Sequence, residues 1–183
     1  MLDSGQSMER FLASVERRAF RMAQIATNST DDALDIVQEA MLGLVKRYGA
    51  KPEEEWKPLF YRILTNSIRD WYRRTKVRNR WRSWMQKIGN ANDAEALDPI
   101  ESLPDPDAHN PEDQVMIGDS VVALDAAIRT LPPRQQQAFL LRAWEGLSVN
   151  ETAVVMKCSA GSVKTHYARA LRALRKLLED HWP

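Results

Sequence analysis

Residues 148–165, SVNETAVVMKCSAGSVKT, decide the fold that we predict for the C-terminal part of the chain. Ser148 and Glu151 match a capping box. In this motif the serine hydroxyl accepts a hydrogen bond from an N–H group at the helix start, and the glutamate side chain accepts one from the backbone N–H of the serine. A short apolar helix and a two-residue turn follow, and Ser159 is placed to cap the next helix. This order predicts the short helix, turn and longer helix of a helix-turn-helix.

The helix after the turn is amphipathic over residues 160–178. Apolar side chains recur on it every three or four residues, the helical period. Its other face is polar and basic, and the N-terminal part of a recognition helix meets base edges in the major groove. We predict base contacts by Lys164, Thr165 and Arg169 and phosphate contacts by Arg172, Arg175 and Lys176. The alternative is a solvated face with ordinary surface charge.

A further helix is predicted before this motif, between two stop signals. Leu131-Pro132-Pro133 ends one helix and opens another, because the residue before proline is disfavoured in the helical region and proline suits a first turn. The new helix is predicted to run from about Arg134 to Trp144, with Gly146 as a left-handed stop.

Charge is unevenly distributed, although the 183 residues carry a formal net charge of only +1. Residues 51–90 hold 11 basic and 4 acidic residues, residues 91–120 hold 9 acidic and none basic, and residues 121–183 hold 9 basic and 5 acidic. Two basic blocks around an acidic spacer indicate two separate contacts with nucleic acid. A single cysteine excludes an internal disulfide, and without a secretory signal or long apolar stretch we expect a cytoplasmic protein with no membrane insertion.

Residues 8–48 predict two amphipathic helices, and Thr30 or Asp31 is placed to cap the second. The second helix has a regular apolar stripe that includes Val45. Its opposite face carries Leu42 among polar residues. That face fits either a contact with a partner or a solvated surface, because single exposed leucines are ordinary.

A loop is predicted from Tyr48 to Glu55, and Pro58 is predicted to begin a long helix that ends near Trp84. One side of this helix is apolar. The other side carries polar and basic residues three or four positions apart: Arg62, Asn66, Arg69, Arg73, Lys76 and Arg80. Such a cationic track favours binding to phosphates, and interleaved aromatic residues such as Tyr61 are suited to stacking on unpaired bases. The alternative is a solvated basic face with the aromatic residues in the core.

Residues 89–111 are predicted to form an acidic, flexible linker, because they contain several prolines, many acids and few large apolar residues. Asn110-Pro111-Glu112 then has the order of cap, proline and early acid that opens a helix. We therefore predict an all-α protein with two small helical domains, residues 1–88 and 112–183, the second a helix-turn-helix. The linker is either a spacer or a mimic of nucleic acid in a basic channel.

Three groups of residues, in this order, resemble the extracytoplasmic-function (ECF) class of bacterial RNA polymerase sigma factors. They are residues 33–39, ALDIVQE; Tyr61-Arg62-Ile63 with Asn66, Asp70 and Arg73-Arg74; and Leu131-Pro132 with Glu151, Ala153, residues 162–165, SVKT, and Arg169-Ala170. The resemblance covers nearly the whole chain and omits only the linker and the extreme N terminus.

The resemblance implies a role for each part. One face of the second helix would bind core RNA polymerase through Asp35, Gln38, Glu39, Leu42 and Lys46. The long basic helix, with the loop before it, would capture and melt the downstream promoter element through Lys57, Arg62, Asn66, Arg69, Arg73, Arg74 and Lys76. The recognition helix would read the upstream element as duplex DNA through Ser162, Lys164, Thr165, His166, Arg169 and Arg172. The linker would thread through the polymerase, and an anti-sigma factor would be a further partner.

Three positions depart from the family's pattern. Leu59 stands where tryptophan is usual, Thr152 stands where a larger aliphatic residue is usual, and Lys157 stands in a turn where glycine is frequent. A lysine in the left-handed region costs on the order of 1 kcal/mol, so we expect the turn to be remodelled.

The main alternative is a stand-alone transcriptional regulator with a similar recognition helix. It is disfavoured because its sensing domain would need alternating strands and helices, which the N-terminal pattern lacks. A helical RNA-binding module is a second alternative. An enzyme is not expected, nor a cofactor or metal, because the three histidines are scattered and no phosphate loop or nucleophile–base pair stands out.

Overall fold

The computed structural model describes residues 2–89 and 119–178, with side chains described from 5 to 79 and from 121 to 178. Within those residues every regular element is helical. The helices form two groups, which we call the N-terminal bundle and the C-terminal bundle. The prediction of an all-α chain with two small helical domains is therefore confirmed.

The N-terminal bundle consists of three helices: α1, Leu2–Thr27; α2, Thr30–Tyr48; and α3, Glu53–Gly89. Each buries one apolar stripe against the other two, as the helical spacing predicts. Ala19, Leu44 and Phe60 illustrate this, because each is fully buried on a different helix. Trp56 also lies in the core, where its ring packs at 5.8 Å from that of Phe11.

The starts of α2 and α3 differ from the prediction. The cap of α2 is Ser29, whose hydroxyl accepts a hydrogen bond from the N–H of Asp32, rather than Thr30 or Asp31. Helix α3 begins at Glu53, so Pro58 lies inside it. The three glutamates at residues 53–55, which we interpreted as part of a loop, form the first turn, where acidic side chains interact favourably with the helix dipole. The loop is therefore confined to residues 49–52.

The C-terminal bundle consists of four α-helices and one π-helical turn. They are α4, Asp119–Thr130; α5, Pro133–Phe139; the π-helical turn, Leu140–Trp144; α6, Val149–Met156; and α7, Ala160–Leu177. The predicted helix from Arg134 to Trp144 is thus correct in extent but not in kind, since its last five residues are π-helical. The helix start predicted at Asn110-Pro111-Glu112 and the linker lie outside the described residues.

The helix-turn-helix signals are confirmed in detail. Ser148 and Glu151 form the reciprocal capping box, and the Ser159 hydroxyl caps α7 by accepting from the N–H of Ser162 at 3.1 Å. Gly146 has a positive φ of 69°. The expectation of a remodelled turn at Lys157 is wrong, because this lysine itself adopts the left-handed conformation, with φ 52° and ψ 51°.

Candidate nucleic-acid interface

The predicted recognition face of α7 lies on the surface of the C-terminal bundle. Lys164, Thr165, Arg169 and Arg172 are exposed, while Ser162 and His166 are half-buried. The Thr165 hydroxyl donates to the carbonyl of Gly161 at 3.0 Å, a bond within the helix. The structure thus brings these six residues to one helix, but what they contact stays a prediction.

The core of the bundle fixes the orientation of α7. Val163, Ala170 and Leu174 are buried beneath it. The Tyr167 ring stacks against that of Phe139 at 6.4 Å between centroids, and the guanidinium of Arg142 lies 5.7 Å from the Tyr167 centroid. That distance suits a cation–π contact, so the Tyr167 ring links α7 to α5 and to the π-helical turn. Leu171, which the sequence pattern places in the core, is 39% exposed.

The turn before α7 is fixed by its backbone. The guanidinium of Arg134 on α5 donates to the carbonyl of Met156 at 3.0 Å, which satisfies one of the free carbonyl groups at the end of α6. The N–H of Cys158 donates to the carbonyl of Ala153 at 3.1 Å. The end of α6 and the turn that leads into α7 are therefore fixed by hydrogen bonds.

The basic stripe of α3 is largely solvent-facing. Arg69, Arg73, Arg74 and Lys76 are exposed, Arg62 and Asn66 are half-buried, and the Arg80 side chain lies outside the described residues. Arg69 donates to the side-chain oxygen of Asn66 at 3.1 Å, and Arg73 lies 3.9 Å from the carboxylate of Asp70. These contacts are long or solvent-exposed, so they neutralise little of the positive charge of the stripe.

Lys57, a member of the predicted downstream surface, and Tyr61, an aromatic residue interleaved with the stripe, have other contacts. The ammonium group of Lys57 donates to the backbone carbonyl of Glu145, in the C-terminal bundle, at 2.7 Å. Tyr61 is fully buried, and its hydroxyl donates to the carboxylate of Glu145. The interpretation of Tyr61 as a base-stacking residue is therefore wrong in this arrangement of the chain, because its ring packs in the core at 5.2 Å from that of Phe60.

Glu145 is a residue that the sequence analysis missed. Its carboxylate is almost completely buried, with one oxygen bound by Tyr61. Burial raises the pKa of Glu145, and the Tyr61 hydrogen bond with the positive charges of Arg18 and Lys57 acts in the opposite direction. Burial also raises the pKa of the Tyr61 hydroxyl, and the neighbouring carboxylate adds to the effect. No local pattern marks Glu145, since its partners lie 84 and 88 residues away.

The predicted polymerase-binding face of α2 is present on the surface. Its five residues are exposed and recur at helical spacing: Asp35, Gln38, Glu39, Leu42 and Lys46. Leu42 is 57% exposed. Leu34 and Val45 are also exposed beside it, although the sequence pattern assigned Val45 to the core. The surface of α2 therefore exposes three large apolar side chains next to charged ones, which suits a contact with another protein.

Other classes of site leave no trace in the described residues. Within residues 2–89 and 119–178, no three His, Cys, Asp or Glu side chains are placed to hold a metal ion together. None of the helices described is long and apolar enough to cross a membrane.

The chain is similar to known proteins over nearly its whole length. Residues 8–78 match the family model of sigma-70 region 2, and residues 122–174 match sigma-70 region 4. The RNA polymerase sigma-E factor of Streptomyces avermitilis is 30% identical over 173 residues, which are 94% of this chain and 85% of that protein. The ECF RNA polymerase sigma factor BldN of Streptomyces coelicolor is 48% identical over 71 residues, 39% of this chain and 27% of that protein.

A solved structure shares the fold. The sigma factor RpoE of Bartonella quintana, in a complex with the anti-sigma factor NepR, matches with a TM-score of 0.63, at 22% identity and over 98% of both chains. The two matched regions coincide with the two bundles, and they contain the α3 stripe and the recognition helix α7. The chain therefore belongs to the sigma-70 family of bacterial RNA polymerase sigma factors, in its ECF class.

Proposed function

We propose that this sigma factor binds core RNA polymerase through the exposed face of α2, reads the upstream promoter element with α7, and captures and melts the downstream element with α3. The observation that carries the proposal is the pair of separate basic surfaces, one on each bundle. The α3 stripe has four exposed basic residues and the α7 face has three. Both surfaces on one polymerase would combine their affinities through effective concentration.

The domain boundaries that suit these roles are residues 1–88, 89–111 and 112–183. The first domain would contact polymerase and downstream DNA, the acidic segment would pass through the polymerase, and the last would contact upstream DNA. This function would be carried out in the cytoplasm, and the sigma factor itself would catalyse no reaction. The sigma factor RpoE, which shares the fold, is bound to the anti-sigma factor NepR, so we include an anti-sigma factor among the partners. Co-expression with such a protein should suppress transcription by this chain.

The test combines the chain with sigma-free bacterial core RNA polymerase. We expect co-elution from a sizing column and run-off transcription from a few discrete start sites on genomic fragments. The chain alone should bind promoter duplex weakly, because each bundle offers limited contact area. Tight, sequence-specific duplex binding by the chain alone, without co-elution, would support the stand-alone regulator instead.

A pair of matched variants tests the polymerase contact. Leu42→Asp places a charge on the α2 face, where Leu42 is 57% exposed, and Val121→Asp places the same charge on α4, where Val121 is 52% exposed. Leu42→Asp should weaken binding to core polymerase by about tenfold or more, the loss typical of a central interface residue. Val121→Asp should leave it unchanged, and equal loss in both variants would show that the α2 face has no special role.

A further inference from the structure

A cleft of about 350 Å³ lies between the two bundles. One wall is formed by α1 and α3, and the other by α5, the start of the π-helical turn and α6. Small-molecule sites in proteins often lie at the interface between domains and have volumes of about 300–1,000 Å³. The size and the position of this cleft therefore suit a small ligand.

The buried residues that line the cleft are mostly apolar. They come from both bundles: Met22, Ile68, Leu140, Val155 and Met156. The two methionines belong to opposite bundles, and their flexible thioether side chains adapt to the shape of a neighbouring group. The two polar residues buried among them, Thr65 and Gln136, already donate to backbone carbonyls. The buried part of the cleft is therefore suited to an apolar group.

The exposed edge of the cleft carries positive charge and no acid. Arg69 on α3 and Arg134 on α5 are both exposed and line the cleft from opposite bundles, and none of the lining residues is Asp or Glu. In the part of the chain that the structure describes, neither guanidinium forms an ion pair with a carboxylate. Their positive charges are therefore available to an anion.

The hydrogen-bonding groups at this edge are mainly donors. The side-chain oxygens of Asn66 and Gln137 accept from Arg69 at 3.1 Å and from Arg134 at 3.2 Å. The two amide N–H2 groups have no acceptor among the described residues. A guanidinium has five N–H groups, so each arginine keeps several for a ligand. Four donor side chains at one edge match the oxygens of a carboxylate or a phosphate.

We propose that the cleft binds a small amphipathic anion, with its carboxylate or phosphate between Arg69 and Arg134 and its apolar chain against Met22 and Met156. Arg69 also belongs to the predicted downstream DNA surface. Arg134 and Gln137, on the α5 wall, belong to none of the predicted DNA or polymerase surfaces. The α5 wall therefore allows the site to be tested apart from the proposed function.

The first experiment follows the methionine resonances of the whole protein, with isotope-labelled methyl groups, during a titration with decanoate. Met22 and Met156 line the cleft, whereas Met8 and Met41 line a separate groove between α1 and α2. The resonances of Met22 and Met156, assigned through Met22→Leu and Met156→Leu, should shift until the site is saturated. Those of Met8 and Met41 should not shift. Decyltrimethylammonium, which has a similar chain and the opposite charge, should leave all four unchanged.

The second experiment compares two matched variants on α5. Gln137→Glu keeps an oxygen that accepts from Arg134 but adds a negative charge at the edge of the cleft. Gln135→Glu makes the same change at a half-buried position that does not line the cleft. Gln137→Glu should weaken decanoate binding by about tenfold or more, the usual effect of losing a hydrogen bond to a charged group. Gln135→Glu should bind decanoate as the parent chain does.

Decyl phosphate distinguishes the two head groups, because the anion that binds more tightly identifies the class of ligand. The proposal is overturned if neither anion shifts the Met22 and Met156 resonances below the concentration at which it aggregates, or if all the methionine resonances shift equally. It is also overturned if decyltrimethylammonium binds as well as decanoate, or if Gln137→Glu and Gln135→Glu bind decanoate equally.

A further variant applies if circular dichroism shows that Gln137→Glu unfolds. Ala26→Leu places a larger side chain in the cleft from α1, and it should also weaken decanoate binding. Unchanged binding by Ala26→Leu would then overturn the proposal. Run-off transcription by the parent chain tests the proposed function separately, because the methionine resonances report on the cleft and not on promoter binding.

Discussion

The guanidinium of Arg129 donates a 2.8 Å hydrogen bond to the side-chain oxygen of Asn28, joining α4 to the end of α1. The same guanidinium donates to the carbonyl of Gln24 at 3.1 Å and to the carboxylate of Asp125 at 2.8 Å. The half-buried side chain of Arg129 therefore links the two bundles. It also donates to the carboxylate of Asp125, which is the ion-pair partner of Arg21.

Arg129→Ala should lower the free energy of unfolding. It leaves the partly buried carbonyl of Gln24 and the Asp125 carboxylate with fewer donors, at a cost of about 1–3 kcal/mol. Urea denaturation followed by circular dichroism measures the change. Arg175→Ala, an exposed position on α7, is the control and should change stability by less than about 0.5 kcal/mol. Equal effects would show that the Arg129 network adds nothing.

Lys157→Gly should stabilise the protein. Lys157 has a φ of 52°, a conformation that is strained for a residue with a Cβ but not for glycine. We expect a gain of about 0.5–1 kcal/mol in the free energy of unfolding, reduced by the entropy that glycine adds to the unfolded chain. Lys164→Gly, inside α7, should instead lose about 1 kcal/mol. A loss of stability in Lys157→Gly would contradict the left-handed turn.

Ser148→Ala should destabilise α6 by about 1 kcal/mol at neutral pH, because the N-terminal N–H groups lose their cap. The hydrogen bonds from Ser148 lower the pKa of Glu151. A lowered pKa stabilises the fold above the ordinary pKa of the group and is lost as the pH falls through the folded value. The stability difference between parent and variant should therefore shrink in acid. A difference that stays constant with pH would mean that the Ser148 hydroxyl does not contribute to the lowered pKa of Glu151.

Lys164→Ala and Arg169→Ala should change promoter choice in the reconstituted polymerase. Each loss of a good base contact should remove about 1–3 kcal/mol of discrimination at particular upstream positions. Arg73→Ala on α3 should lower transcription more evenly across promoters, because phosphate contacts carry no sequence information. Start-site mapping over a promoter library measures both. If Arg169→Ala leaves the upstream base preference unchanged, the assigned face of α7 is wrong.

Local signals in the sequence predicted most of the fold. The capping box at Ser148, the stop at Gly146 and the cap at Ser159 depend only on residues a few positions apart, and all three are confirmed. The predicted start of α3 was wrong. Proline is a strong local signal for a helix start, but Pro58 lies inside α3. The helix starts at the acidic residues before it.

The candidate site was predictable only in part. The exposed faces of α2, α3 and α7 follow from helical spacing, which the sequence alone displays. The burial of Tyr61 was not predictable, because an aromatic ring suits both a nucleic-acid surface and a core. The Tyr61 hydroxyl donates to Glu145, which is 84 residues away, and no pattern in one sequence connects the two.

The π-helical turn at Leu140–Trp144 has a consequence for the alignment of relatives. The N–H of Glu145 donates to the carbonyl of Leu140, five residues earlier, so this helix holds one residue more than an α-helix with the same hydrogen-bonded ends. A relative without the bulge would lack one residue here, and a one-residue gap in an otherwise continuous helix should fall between positions 140 and 144. Each residue that follows the bulge, Glu145 included, would point about one-quarter turn differently in such a relative, since 3.6 residues complete a turn.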